Sequence, residues 1–209
     1  MAPVVEFRIV ELMASRLCHD LVSPVSAIGN GLELLEEGGG AAGDDALTLC
    51  MDSQRRAAVL LQTFRMAFGA GQASESLGDL RRLAGDFLHQ GKVRLDWPAE
   101  HAAAQPPRGT ARLLLNMVML AAECLPRGGV LRVRCGGGAV EVAAEGQDPR
   151  GGGEIEAALK ADCPADALTP RTVQAYFAAR LAERLGTRLA VAAHAGGIRL
   201  RAAQPPPPG

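Results

Sequence analysis

From Phe7 to Leu35 apolar residues recur in steps of three and four: Phe7, Val10, Ala14, Leu17, Leu21, Val25, Ile28, Leu32 and Leu35. That spacing lays one stripe along a helix of about eight turns, and such a stripe has to pack against another surface. The chain supplies the first such surface itself. After Glu36-Glu37 the segment GGGAAG ends the helix, and Asp44-Asp45 suit the positive end of a second one. The glycines of this linker are expected to belong to neither helix. The second stripe runs Leu47, Cys50, Gln54, Ala57, Leu61, Phe64, Phe68 and stops before GAGQAS. The product is an antiparallel helical hairpin. A hairpin of this length normally joins another pair in a four-helix bundle, and a homodimer is the economical source of that pair.

From about Ser76 the pattern changes. A helix reads at Leu80 to His89, a short strand at KVRLDW, and an Ala- and Pro-rich loop leads to a long apolar helix, Ala111 to Leu125. Two alternating strands, VLRVRC and AVEVAA, are joined through Gly136 to Gly138. A helix at Glu154 to Ala161 precedes one opened by Pro170, from about Arg171 to Leu185. Strands RLAVAA and GIRLRA close a second hairpin around Ala195-Gly196-Gly197. Strands with helices on one face make a two-layer α/β sandwich, so the fold class is α+β. The expected division is 1–72 for the helical hairpin, 73–203 for the sandwich and 204–209, QPPPPG, for an extended tail.

Composition narrows the function. With 22 Lys+Arg against 23 Asp+Glu, the chain has no field to attract nucleic acid, and one Trp, one Tyr and five Phe give bases little to stack on. Charged residues interrupt the N-terminus and no apolar run approaches the roughly 20 residues of a membrane span, so a cytoplasmic protein is expected. Five cysteines, Cys18, Cys50, Cys124, Cys135 and Cys163, are odd in number and contain no CxxC pair, which predicts free thiols.

Of four histidines, His89, His101 and His194 read as surface residues in a helix end, a loop and a hairpin turn. His19 differs. It sits two residues from both Leu17 and Leu21, about 200° around the helix from each, and should face solvent. Its face carries Ser15, Arg16, Val22, Ser23, Ser26 and Asn30, most of them short or polar, so a partner can approach closely. Asp20 follows directly. Pro24 lies inside the helix at a typical cost of about 3 kcal/mol, the kind of local-rule violation found at functional sites. An exposed imidazole can act as a nucleophile through one nitrogen when the other is held by a hydrogen bond, and phosphate is its natural electrophile. Zinc is the weaker idea, because Cys18 and His19 point about 100° apart and no partner at i+4 completes a site.

The segment Ser15 to Pro24, SRLCHDLVSP, resembles the phosphoacceptor box of two-component histidine kinases. It is more similar still to the ChpT family of histidine phosphotransferases of alphaproteobacteria, whose pattern His-Asp-Leu-x-Ser-Pro-x-x-Ala-Ile, then Gly-Asn-Gly-x-Glu-Leu, is met from His19 to Leu34. The resemblance covers nearly the whole chain, and it implies a sandwich like the ATP-binding (Bergerat) domain of histidine kinases. Residues that would bind Mg-ATP there are mostly replaced. In ARLLLNMVMLAAECL, Asn116 matches the first Asn of the asparagine box, but Leu120 stands where the Asn that holds magnesium would be, and Glu123 replaces a basic residue. A leucine cannot coordinate Mg²⁺. Ala144 occupies the place of the adenine-binding Asp, Gly146 is kept, and Asp148 stands for a second Gly. Pro170, Thr172 and Gln174 stand where glycines would let amides approach phosphates.

The resemblance therefore implies a dimeric histidine phosphotransferase that takes a phosphoryl group onto His19 from a receiver Asp and passes it to another receiver. Asp20 would orient or polarise His19, and Arg16, Leu17, Val22, Ser23, Ser26 and Asn30 would dock the receiver. No cofactor is expected on this chain: the receiver supplies Mg²⁺, and ATP binding is not expected. Implied partners are a CckA-like hybrid kinase and CtrA-like and CpdR-like regulators, with neither nucleic acid nor membrane. The alternatives are an ATP-dependent histidine kinase fragment and a non-catalytic adaptor.

Overall fold

The computed structural model describes residues 6–37, 41–69, 76–89, 91–103, 109–160 and 162–203. The expected boundary at 72 and 73 and the tail at 204–209 lie outside them. Helix α1 spans Phe7–Glu37 and runs unbroken through Pro24; α2 spans Ala41–Phe68. The second helix begins earlier than its acidic pair implied, so Gly43 belongs to it. The two helices are close together at Gly31, where an added Cβ would lie 2.5 Å from Cys50 Sγ and 3.1 Å from Ala46 O. A larger residue there would force Cys50 or the helices to shift.

The row that α1 buries is not the stripe read from its periodicity. Ile9, Leu12, Arg16, Pro24 and Gly31 are buried, and Leu17, Leu21 and Ile28 are half-buried. Phe7, Val10, Val25, Leu32 and Leu35 face solvent. A single hairpin covers only one narrow row of each helix, and the rest of the apolar surface stays uncovered.

The remainder is a two-layer sandwich. Its elements are α3 (Leu77–His89), β1 (Val93–Asp96), α4 (Ala99–Ala102), α5 (Thr110–Glu123), β2 (Gly129–Gly136), β3 (Ala139–Gly146), α6 (Gly152–Ala158), a 3-10 turn (Ala165–Ala167), α7 (Val173–Arg184), β4 (Arg188–His194) and β5 (Gly197–Ala203). The short α4 and the 3-10 turn were not legible in the sequence. The helix opened by Pro170 starts later than expected, after a turn over Pro170 to Thr172, and residue 161, the expected end of the preceding helix, lies outside the described residues.

Strands run in the order β1-β2-β3-β5-β4, with β1 parallel to β2 and the other pairs antiparallel. Period-2 alternation sends Leu131, Ala144 and Ile198, and then Val133, Val142 and Leu200, to the helix side as aligned cross-strand rows. The other face carries Arg132, Arg134, Glu141, Arg199 and Arg201, laced by ion pairs such as Arg132 to Glu145 at 2.6 Å and Arg134 to Asp96 at 3.2 Å. Helix α5 packs against the sheet and against α2, α3 and α7. Every residue from Leu113 to Ala121 is consequently buried. No helix among the described residues is long and apolar enough to cross a membrane.

Directional polar contacts join hairpin to sandwich. The last carbonyls of α2 have no partner within the helix. Arg112 on α5 donates to them, Nε to Ala67 O at 3.0 Å and Nη2 to Phe68 O at 2.9 Å, placing a cation at the negative end of α2. Asn116 Nδ2 adds a bond to Ala67 O at 3.1 Å, and Phe68 meets Phe177 edge-on at 5.4 Å.

Candidate active site

A little over three turns into α1, His19 projects into solvent with its side chain 89% exposed. Its Nδ1 lies 3.2 Å from Asp20 Oδ1. A carboxylate there favours the proton on Nδ1 and leaves Nε2 with a free lone pair facing outward. Val22, Ser23, Ser26 and Asn30 are likewise exposed, and Leu17 is half-buried against the core.

Arg16 is the correction. Expected on the docking face, it turns inward with a side chain only 9% exposed. Its Nη1 donates to Arg171 O at 3.2 Å, to Pro170 O at 3.4 Å and to Glu123 Oε2 at 3.5 Å, and Nη2 pairs with Glu123 Oε1. Its Nε stands 4.0 Å from Asp20 Oδ2. Burial pushes the guanidinium pKa down, the Asp20 charge pulls it up, and Arg171 opposes that pull. The i, i+3 relation to His19 put Arg16 near the imidazole, but the sandwich claims it because a carboxylate and two carbonyls lie on that side.

His19 and Asp20 stand at a cavity of about 760 Å³ between the hairpin and the sandwich, to which α2 contributes Arg56, α3 Asp86, α5 Glu123 and the loop before α7 Arg171. Sequence reasoning missed these four as members of one site. Glu123 lies 107 positions from its partner Arg16, and no local spacing signals such a pair. His101 also departs from its expected surface role: it is half-buried in α4, with Nδ1 2.9 Å from Cys135 O. His194 is exposed but ends β4 and does not sit in the turn. Among the described residues no cluster of His, Cys, Asp or Glu could hold a metal ion, and the five cysteines are free thiols.

Of the positions compared above with a nucleotide site, Asp148 and Pro170 are exposed. Asn116, Leu120, Ala144 and Gln174 are fully buried. Asn116 and Gln174 bond each other, Nε2 to Oδ1 at 3.3 Å, so their amides hold α5 to α7. Asp148, where the resemblance places a glycine, takes a left-handed conformation, φ 53, and accepts a hydrogen bond from Arg150 Nη2 at 2.7 Å.

A long helical hairpin bearing an outward imidazole, joined to an α/β sandwich, has the architecture of a phosphotransferase. Residues 77–197 match the family described as the histidine phosphotransferase C-terminal domain. The protein phosphotransferase ChpT of Brucella abortus (strain 2308) is 37% identical over 194 residues, which cover 90% of this chain and 91% of that protein. A solved 1.7 Å structure of a bacterial phosphotransferase superposes with TM-score 0.80 at 32% identity, covering 96% of this chain and 98% of that one. The chain belongs to the histidine phosphotransferase family and is of the ChpT type.

Proposed function

We propose that His19 is the phosphoacceptor of a phosphorelay, receiving its phosphoryl group from the Asp of a hybrid-kinase receiver and passing it to the Asp of a response regulator. The observation that carries this reading is the exposed imidazole whose Nδ1 faces Asp20 while Nε2 is open to solvent. The Nε2 lone pair attacks phosphorus, an N–P bond forms, and the P–O bond to the receiver carboxylate breaks, so that Asp departs as carboxylate. No proton has to leave: the ring keeps its Nδ1 proton, and the positive charge it gains is met by Asp20. The onward transfer reverses these changes. Mg²⁺ on the receiver offsets charge on the phosphoryl oxygens, so this chain supplies nucleophile and positioning. Val22, Ser23, Ser26 and Asn30 offer the receiver its docking face, with Leu17 at its edge.

Two chains join through the apolar rows left open on α1 and α2, forming a four-helix bundle. Residues 1–72 then carry dimerisation and phosphotransfer, and 73–203 a scaffold that neither binds ATP nor needs another cofactor; the burial of Leu120 and Ala144 supports this. By likeness to its family the chain works in the cytoplasm between a CckA-like hybrid kinase and CtrA-like and CpdR-like regulators of the cell cycle, with no role for nucleic acid or membrane.

Incubation with Mg-ATP alone, and separately with a phosphorylated receiver domain, tests the reading by acid-labile phosphate on wild type and His19→Ala. Label arrives only from the receiver and only on wild type, and the variant loses it entirely while melting as wild type does, because an exposed side chain leaves stability within about 0.5 kcal/mol. Label from ATP alone makes the chain a kinase, and no label from either source makes it an adaptor.

A further inference from the structure

Among the described residues Arg16 is the single formally charged side chain that is buried. Removing a guanidinium from water is costly, and a buried ion pair is a poor source of net stability. Its geometry points to another use. The Nη side of the fork is occupied by the sandwich, through Glu123 and the carbonyls of Pro170 and Arg171. The Nε edge has no hydrogen-bond partner and lies beside Asp20 at 4.0 Å. The opposite oxygen of Asp20 is the one at 3.2 Å from His19 Nδ1. One rigid, planar cation thus stands with one edge on the sandwich and the other beside the carboxylate that touches the imidazole.

We propose that Arg16 is a positioning residue for His19: anchored on the sandwich by Glu123 and two backbone carbonyls, it holds Asp20 against Nδ1, so the seating of the sandwich sets which ring nitrogen is free to attack. This rests on His19 being the phosphoacceptor. Glu123 is part of the device as the anchor of Arg16. A lysine at position 16 is not equivalent, because a point charge cannot span Glu123 and Asp20 together.

The test uses the full chain as wild type, Arg16→Met, Arg16→Lys and Glu123→Gln, with two readouts. Imidazole ¹⁵N shifts report the tautomer of His19 without any phosphate present. Single-turnover uptake from a phosphorylated receiver, titrated with receiver, separates the saturating rate from the half-saturating concentration. Arg16→Met is expected to move the ring toward the Nε2–H tautomer and to lower the saturating rate about tenfold or more. Half-saturation stays within about twofold, because removing a positioning contact is not removing a docking contact. Arg16→Lys recovers part of the rate, and Glu123→Gln shows the same changes at smaller size. An unchanged tautomer and saturating rate in Arg16→Met, or a change confined to half-saturation, overturns the proposal. If Arg16→Met does not fold, Glu123→Gln decides: an unshifted tautomer with wild-type rate overturns it. Wild type that takes no label overturns the phosphoacceptor reading instead, a failure distinct from that of Arg16.

Discussion

The hairpin and the sandwich solve burial in opposite ways. Every large apolar side chain exposed among the described residues lies on α1 or α2: seven, from Phe7 to Leu35, on the first and Leu47, Leu49, Met51 and Leu61 on the second. The sandwich leaves none in the open; α5 is wrapped on all sides and the sheet turns its apolar rows to the helices. A closed core makes a scaffold whose surface is charge pairs. An open helical pair leaves apolar surface uncovered, and it is there that the outward histidine sits. Where the halves meet, Arg112, Asn116 and Arg16 add directional contacts to the apolar packing of Ile9, Leu12, Phe64 and Phe68.

The comparison can be broken first in the sandwich. Leu120→Asn restores the residue type that an ATP-binding chain would have, but in a site without solvent. It should lower unfolding free energy by about 3–5 kcal/mol, for lost packing plus an unsatisfied amide, and create no nucleotide binding. Denaturant unfolding and titration with labelled nucleotide in Mg²⁺ check both; a stable, ATP-binding variant means the core is not closed. In the hairpin, Leu32→Asp removes apolar surface that one chain does not cover. It should weaken self-association at least tenfold, since burying a leucine is worth about 1.5–3 kcal/mol, while leaving the sandwich transition in place. Sedimentation across concentration reads this, and an unchanged mass at every concentration means the open row is not the bundle seam. The smallest effect is chemical. At pH 8 iodoacetamide should label exposed Cys18 in the native protein and spare Cys124 and Cys135, whose thiols burial pushes up to about 11 and keeps protonated. Peptide mass spectrometry resolves the three, and early labelling of Cys124 would show that the sandwich opens.

Periodicity carried much of the fold. The two long helices, the apolar helix at α5 and both strand hairpins were legible because each depends on residues within a few positions of one another. Pairing across the sheet was not: nothing in the strands says that β5 lies beside β3, or that β1 joins β2 in parallel. The site divides the same way. His19 and Asp20 are neighbours in sequence, and the exposure of His19 follows from its place opposite Leu17 and Leu21. Glu123, Arg56 and Arg171 reach the cleft only through chain crossings.

The sequence alone determined that this chain pairs two long helices, follows them with an α/β layer and turns an imidazole outward beside a carboxylate. Those are consequences of backbone period and of neighbours on one helix face. Tertiary structure decided which row of α1 is covered and that Arg16 points inward. Its choice between solvent and sandwich depends on Glu123 and on the carbonyls of Pro170 and Arg171, more than a hundred residues away in the chain. Burial is a property of what arrives from elsewhere, and for Arg16 it turned an expected docking residue into a contact between two halves of the molecule.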